Sequence, residues 1–242
     1  DVDLAIGSPR SDGDGSTNAG SVSIVSGALR GLSSLDDSHR VYGELAGALA
    51  GNGVQPGGDI NADGSTDILI AVPGAMGPTE AAMDTGMSVE GEPWSGAVYA
   101  VLGPINSDVA LSTASTAFRG SYSNHGLSSM TTVGDQDGDG RSELAIGLDR
   151  DDRRGFDSGA VALLSGPVTG ENTIEDGIHI GAAGPGDRAG TALVAVGDMN
   201  GDGIDDLAIS APYAESRPPS SPFGGGEPAL ADVGAVYIVY GP

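Results

Sequence analysis

The sequence predicts an all-β fold, a propeller-like array of about four blades of which the first and the last are incomplete. Two observations predict it. A short acidic motif recurs along the chain, and each copy runs through a small-residue turn into further apolar strands. The clearest copy spans Gly197 to Ile209 and reads GDMNGDGIDDLAI. Other copies span Gly58 to Ile70 and Gly134 to Ile146, and a half copy begins at Asp1.

The spacing of the motif indicates how large each repeat is. Its ninth position recurs at intervals of 63 to 76 residues, which is too long for a one-strand solenoid turn and suits a blade of about four strands. Within each repeat a Gly-led apolar strand follows the motif, at 20–25, 96–101, 159–164 and 234–239. Runs such as Ile68 to Val72 and Val236 to Tyr240 are apolar at successive positions. We therefore expect both faces of these sheets to be covered, whereas a two-layer sandwich, the second choice, would alternate apolar and polar residues.

The repeats divide the chain without leaving an interdomain linker. The predicted organisation is one array over 1–242, with units at about 1–44 (partial), 45–117, 118–177 and 178–242 (partial). Because the end units are incomplete, we expect either a fragment of a longer protein or an assembly in which other copies cover the ends. Four variable segments fall at the same point of each repeat and should decorate one face: 8–19, 74–94, 150–157 and 213–232.

Composition limits the partners. The formal net charge is −24, and all ten basic residues are Arg, which excludes nucleic acid as a partner. The longest apolar runs have the length of a strand, so no membrane insertion is expected. The chain has no Cys, which excludes thiolate metal sites and cysteine nucleophiles.

The acidic motif has the spacing of a calcium loop. Side-chain oxygens recur at loop positions 1, 3, 5 and 9, position 6 is Gly, and the carbonyl of position 7 can complete the ligand shell. Hard oxygen ligands without His or Cys favour Ca²⁺. The candidate ligands are Asp59, Asn61, Asp63, Ser65 and Asp67; Asp135, Asp137, Asp139, Arg141 and Glu143; and Asp198, Asn200, Asp202, Ile204 and Asp206. Ser65, Arg141 and Ile204 would contribute backbone carbonyls, and Asp1 and Asp3 would form a partial fourth site.

An EF-hand and a set of plain Asx turns are two other interpretations of these loops. An EF-hand requires Glu at position 12, where this chain has Ile70, Ile146 and Ile209. Plain Asx turns would also use Asp, Asn and Gly, but three copies in the same register favour metal binding. The second loop has four acidic ligands and the others have three, so we expect it to bind calcium most tightly.

The sequence offers little support for catalysis. The three histidines lie outside any recognised metal or catalytic motif, and there is no nucleophile elbow, phosphate loop or dinucleotide fingerprint. Trp94, Tyr213 and Phe223 lie in or beside the long loops, where they could contact a ligand or cap a blade edge.

These motifs resemble the FG-GAP repeat of integrin alpha subunits and their bacterial relatives. The resemblance rests on the Gly-Asp-led loops, the Gly-Ala-Pro-like turns and the Gly-Ala-Val-Tyr strands at 96–99 and 234–237. The Phe-Gly place instead reads Ala50-Gly51, His125-Gly126 and Ala189-Gly190. The resemblance implies a calcium-binding propeller with its ligand surface on the loop face, formed here by the segments 74–94 and 213–232.

The function implied is that of a non-catalytic, extracellular or cell-surface module for adhesion, which binds a protein or glycan. One alternative is a structural subunit of a calcium-dependent surface layer or filament, with further copies or blades at the open ends. The other is part of a secreted hydrolase.

Overall fold

The computed structural model describes residues 3–25, 34–35, 38–43, 45–61, 63–75, 95–113, 116–120, 127–165, 170–181, 184–215 and 232–241. These residues form sixteen strands and two short 3-10 helices, at Leu111–Thr113 and Ile174–Asp176. In chain order the strands are β1 (Leu4–Ser8), β2 (Ser21–Val25), β3 (His39–Tyr42), β4 (Gly53–Gly58), β5 (Asp67–Val72), β6 (Ala97–Val101), β7 (Val109–Ala110), β8 (Thr116–Arg119), β9 (Leu127–Val133), β10 (Glu143–Leu148), β11 (Ala160–Leu164), β12 (Gly170–Thr173), β13 (Ile178–Gly181), β14 (Leu193–Gly197), β15 (Asp206–Ala211) and β16 (Ala235–Val239).

The strands form four sheets, and the all-β prediction is confirmed. The orders are β1-β2-β3-β7 in the first sheet, β12-β8-β6-β5-β4 in the second, β13-β11-β10-β9 in the third and β14-β15-β16 in the fourth. The Gly-led strands predicted from the sequence are present as β2, β6, β11 and β16, each beginning one residue later than expected. Strands β8 and β13 complete the second and third sheets, so the predicted unit limits at 117 and 177 fall within β8 and directly before β13.

Each sheet repeats the same antiparallel register. The Ile at position 12 of the acidic motif faces the third residue of the next strand: Ile70 pairs with Tyr99, and Ile209 pairs with Tyr237. Ile6 in the half copy pairs with Ser23 in the same way. A shared register sends equivalent side chains to equivalent faces, because a slip of one residue would reverse every side chain.

The first and second sheets each gain an edge strand from the repeat that follows. β7 pairs in parallel with β3, and β12 pairs in parallel with β8, although in each case the added strand comes from the following repeat. The 3-10 helix after each added strand buries one apolar residue, Leu111 or Ile174. These connections close the outer edge of β3 and of β8.

Glycines allow close backbone contact between neighbouring sheets. A Cβ atom on Gly147 would lie only 2.0 Å from the carbonyl oxygen of Gly190, and one on Gly7 would lie 2.1 Å from that of Gly51. Gly51 and Gly190 lie at the positions where the repeat family that this sequence resembles has the Gly of its Phe-Gly dipeptide. The preceding residues, Ala50 and Ala189, are buried.

The core lies mainly between the sheets. One cluster joins the second and third sheets, and includes Leu69, Phe118, Met130 and Ile146. The expectation that both faces are covered holds for β5, β10 and most of the second and third sheets. It is wrong for β16, where Val236 is 68% exposed, because the fourth sheet packs against a neighbour on one side only among the described residues.

No helix in the described part of the chain has the length and apolar character needed to span a membrane.

Candidate metal centre

The three complete acidic loops lie at the same place in the second, third and fourth sheets, between the first two strands of each repeat. They connect β4 to β5, β9 to β10 and β14 to β15. At position 6 of each loop the backbone adopts a positive φ of 86° at Gly64, 89° at Gly140 and 93° at Gly203. Only glycine adopts this conformation without steric cost, and it produces the bend that turns the loop oxygens inward.

The second loop gathers its four predicted acidic ligands into one cluster. The side chains of Asp135, Asp137, Asp139 and Glu143 each offer an oxygen, and these atoms all lie within 4.8 Å of one another. Asp135 also organises the loop, because it accepts hydrogen bonds from the N–H groups of Gly138 at 2.7 Å, Asp139 at 3.0 Å and Gly140 at 2.8 Å. A carboxylate oxygen has more than one lone pair, so these bonds leave capacity for a cation.

Glu143 is the buried member of this cluster. Its side chain is 1% exposed, and its Oε2 accepts a short hydrogen bond from the Gln136 N–H. The other oxygen, Oε1, is buried and has no hydrogen-bond partner among the residues that the structure describes. Burial raises the pKa of Glu143 above its usual value, and the neighbouring carboxylates of Asp137, Asp135 and Asp139 raise it further. A buried acceptor without a partner, beside three carboxylates, fits a divalent cation as the missing partner.

The first and third loops share a different local arrangement. In each, the position 3 amide donates to the position 5 carboxylate, from Asn61 to Asp63 at 2.8 Å and from Asn200 to Asp202 at 2.7 Å. The bond from Asn61 is the main reason that the pKa of Asp63 is lowered. Among the described residues, only the second loop brings oxygens from three or more acidic side chains within 4.8 Å of one another.

Position 9 has a bracing role in the first and third loops that the spacing alone did not predict. Both oxygens of Asp67 accept backbone N–H groups, from Ile60 and Gly103, each at 2.8 Å. Asp206 likewise accepts from Met199 at 2.8 Å and Gly241 at 3.1 Å. Each Asp thus ties its loop to the residues that follow the third strand of the sheet. Both are fully buried, and burial raises the pKa of Asp67.

The position 7 residues contact the loops through their N–H groups. Those of Ser65, Arg141 and Ile204 donate to the position 5 carboxylates at 2.7 to 2.9 Å. Their role as carbonyl ligands stays a prediction. The Arg141 guanidinium nitrogen Nη1 also lies 3.6 Å from Asp139 Oδ2, and the two form an exposed ion pair that the loop spacing did not predict.

The partial site and the contact loops are only partly within the described residues. Asp3 is exposed, whereas Asp1 lies outside the described residues. Trp94, Phe223 and most of both predicted contact loops also lie outside them. Tyr213 is described and exposed, and the Arg188 guanidinium lies 5.4 Å from the centre of its ring.

His179 belongs to a polar cluster that sequence analysis did not identify. Its Nδ1 makes a short contact with the Arg153 guanidinium, which also pairs with Glu175 at 2.5 Å and with buried Asp151 at 3.5 Å. Burial lowers the pKa of His179, and Arg153 lowers it further. Asp151 and Arg153 come from one loop, whereas Glu175 lies in the 3-10 helix Ile174–Asp176 and His179 in β13, so no local motif identifies the cluster.

The repeated sheets and Gly-Asp-led loops define a class of β-repeat protein, and comparison with known proteins identifies the repeat. Residues 189–239, which contain β14, the third loop and β16, match the family model of the FG-GAP repeat. The chain is also 41% identical over 86 residues to integrin alpha-PS2 of Drosophila melanogaster, an alignment that covers 33% of this chain and 6% of that protein. Residues 189–239 therefore form an FG-GAP repeat, the chain is similar to an integrin alpha subunit over the aligned 86 residues, and the resemblance drawn from the sequence is confirmed.

Proposed function

We propose that this chain is a calcium-stabilised β-propeller module of FG-GAP blades, which acts by binding and not by catalysis. The observation that carries the proposal is the buried Oε1 of Glu143, which lacks a hydrogen-bond partner beside three other carboxylates. A cation among these groups offsets both the burial of Oε1 and the mutual repulsion of the acids. The ligand atoms are hard oxygens, which favour Ca²⁺ over transition metals. The first and third loops, with the same spacing, are proposed as two further calcium sites.

The propeller arrangement is supported by contacts between the first strands of successive sheets. β4 packs against β9, and β9 packs against β14. Sheets that stack through their first strands around an axis are typical of propeller blades. We propose one array over 1–242, with the unit at 45–117 extended to the end of β8 and the unit at 118–177 extended to the end of β13.

An extracellular or cell-surface location and an adhesive role are proposed from two considerations. The similarity to an integrin alpha subunit favours a protein partner. Short exposed loops of this type bind calcium weakly and fill at the millimolar calcium found outside cells. The proposed contact surface is the face that carries the variable segments, and its ligand is a protein or a glycan.

Thermal unfolding with and without EDTA tests the calcium proposal. If free calcium exceeds the dissociation constant by about 10- to 100-fold, each site adds roughly 1.4 to 2.7 kcal/mol, and three sites add about 4 to 8 kcal/mol. For a chain of this size, this corresponds to a change in melting temperature of roughly 8 to 30 °C. Calcium added back after chelation should restore the shift, and magnesium should not. An unchanged melting curve in EDTA would refute the proposal.

A second candidate function, a subunit of a calcium-dependent assembly, is favoured by the exposed apolar face of the fourth sheet. Val194, Val236 and Ile238 are exposed on one face of the sheet, since Val194 and Ile238 both pair with Ala208 and Val236 lies two residues before Ile238. Tyr237 points to the opposite face, and Met199, Val233 and Tyr240 are exposed beside the strands. Exposed apolar side chains grouped on one face of a sheet favour an interaction site. Light scattering in calcium decides between the two candidates: growth in mass that is abolished by Val236→Glu favours assembly, and a calcium-bound monomer favours the ligand-binding module.

A further inference from the structure

Gln136 contacts two of the acidic loops at once. It lies at position 2 of the second loop, where its N–H donates to Oε2 of Glu143. Its side-chain Nε2 donates at 2.8 Å to the carbonyl oxygen of Asp205, which belongs to the third loop and lies 69 residues further along the chain. Asp205 directly precedes Asp206, the position 9 residue of the third loop. One residue therefore touches the buried ligand of the second loop and the backbone beside the buried ligand of the third.

Two further close approaches join the same loops. A Cβ atom on Gly134 would lie 2.8 Å from Asp205 Oδ2, so the Asp205 carboxylate lies against the start of the second loop. A Cβ on Gly241 would lie 3.3 Å from Gln136 Oε1, and the Gly241 N–H donates to Asp206. The contact is therefore made at three places.

The described residues of the first loop, 59–61 and 63–67, show no such connection to the second. Its position 2 residue is Ile60, an apolar side chain that packs against the hydrophobic core. Gly58 is the equivalent of Gly134, and a Cβ atom there would meet nothing within 4 Å. Among the described residues, hydrogen bonds therefore link the second and third loops, and the first loop serves as an internal control.

We propose that Gln136 couples the second and third calcium loops, so that calcium bound at one raises the affinity of the other. The inference rests on the proposed calcium binding. An ion held by Glu143 restricts Glu143 and, through its Oε2, the backbone of Gln136. A restricted Gln136 holds the Asp205 carbonyl, and therefore restricts the backbone of the third loop before the second ion arrives. Because coupling between binding equilibria is reciprocal, calcium at the third loop must favour the second loop by the same factor.

Calcium titration calorimetry on full-length variants tests the coupling. Asp59→Ala should abolish calcium binding at the first loop and leave the linked second and third sites. The double variant Asp59→Ala/Asp135→Ala then keeps only the third calcium site, and Asp59→Ala/Asp198→Ala keeps only the second. We expect each isolated loop to bind about two- to tenfold more weakly than it does beside its calcium-loaded partner, the factor that one net hydrogen bond provides. The two factors should agree.

Gln136→Met is the matched variant, because Met is the residue that the third loop carries at this position, as Met199. It keeps the length of the side chain and removes the donor. In the Asp59→Ala background, Gln136→Met should abolish the cooperativity of the two remaining sites, and this measurement stands even if an isolated-loop variant does not fold.

The outcomes separate the coupling from the calcium proposal. The coupling is wrong if a loop binds calcium with the same affinity when isolated and when paired, or if Gln136→Met keeps full cooperativity. Either result leaves the calcium proposal intact. Absence of calcium binding by the unmodified chain would overturn the calcium proposal and the coupling with it. Removal of the first loop should leave the affinity of the third loop unchanged, and a change equal to that caused by Asp135→Ala would also overturn the assignment to Gln136.

Discussion

Replacing Glu143 by Gln should have opposite effects on stability with and without calcium. In EDTA the substitution removes one negative charge from a cluster whose oxygens all lie within 4.8 Å of one another. At that distance each like-charge pair costs about 0.9 kcal/mol at the dielectric constant of water, and three pairs cost about 2.6 kcal/mol. Salt near 0.15 M reduces this to about half. We therefore expect Glu143→Gln to stabilise the chelated chain by roughly 1.3 to 2.6 kcal/mol.

In saturating calcium the same substitution should be destabilising. The Gln amide keeps an oxygen but loses the charge that attracts the ion, so calcium affinity falls. The assay is thermal unfolding of the variant and the unmodified chain, each in EDTA and in calcium. The melting temperature should rise by about 3 to 10 °C in EDTA. The increase that calcium produces should become smaller.

Asp67→Asn provides the control with the same change of charge at the equivalent position of the first loop. Both oxygens of Asp67 accept backbone N–H groups, so an amide would direct its own N–H toward one of these donors. An unsatisfied buried donor costs about 1 to 3 kcal/mol, and Asp67→Asn should therefore destabilise even in EDTA. The reasoning is refuted if Glu143→Gln also destabilises in EDTA, or if its calcium-induced shift equals that of the unmodified chain.

Two further predictions concern packing and pH. Gly147→Ala should lower the free energy of unfolding by about 3 kcal/mol, because its Cβ would lie 2.0 Å from the carbonyl oxygen of Gly190. In the same urea titrations Gly53→Ala, whose Cβ would lie 3.3 Å from its nearest neighbour, should lose about 1 kcal/mol or less, and equal losses would contradict the contact. Because burial and Arg153 lower the pKa of His179, the unfolded chain takes up this proton first, and stability is lost as the pH falls below about 6.5 toward the lowered pKa. Melting at pH 7.5 and pH 5 in saturating calcium should show a smaller loss in His179→Gln, and an identical loss would refute the assignment.

The strands were predictable because their signals are local. Apolar runs led by Gly placed β2, β6, β11 and β16 to within one residue of their starts. The added strands β7 and β12 were not predicted, since they have only two and four residues, and they exist because a neighbouring edge accepts them. A short strand paired across repeats has no periodic pattern of its own.

The loops were predictable in spacing but not in how their acids are used. Asp67 and Glu143 occupy the same loop position, and the sequence offers both as ligands. In the folded chain the shorter Asp67 is bound on both oxygens, one of them by Gly103 from beyond the third strand, whereas Glu143 keeps one oxygen without a partner. The partner from beyond the third strand is 36 residues away in the chain, so loop spacing contains no information about it.

Position 2 of the loop explains the exposed surface of the fourth sheet. In two loops this side chain reaches the following sheet: Ile60 packs in the cluster that contains residues of the third sheet, and Gln136 binds the backbone of Asp205 in the third loop. At the third loop the same position is Met199, which is 61% exposed. An apolar side chain at a position that elsewhere contacts the next repeat has the exposure expected when none of the described residues packs over it. The exposure of Met199 and of Val236 therefore has one cause, and a repeat or second copy docked on this sheet should bury both, as protection of Met199 from peroxide oxidation would measure.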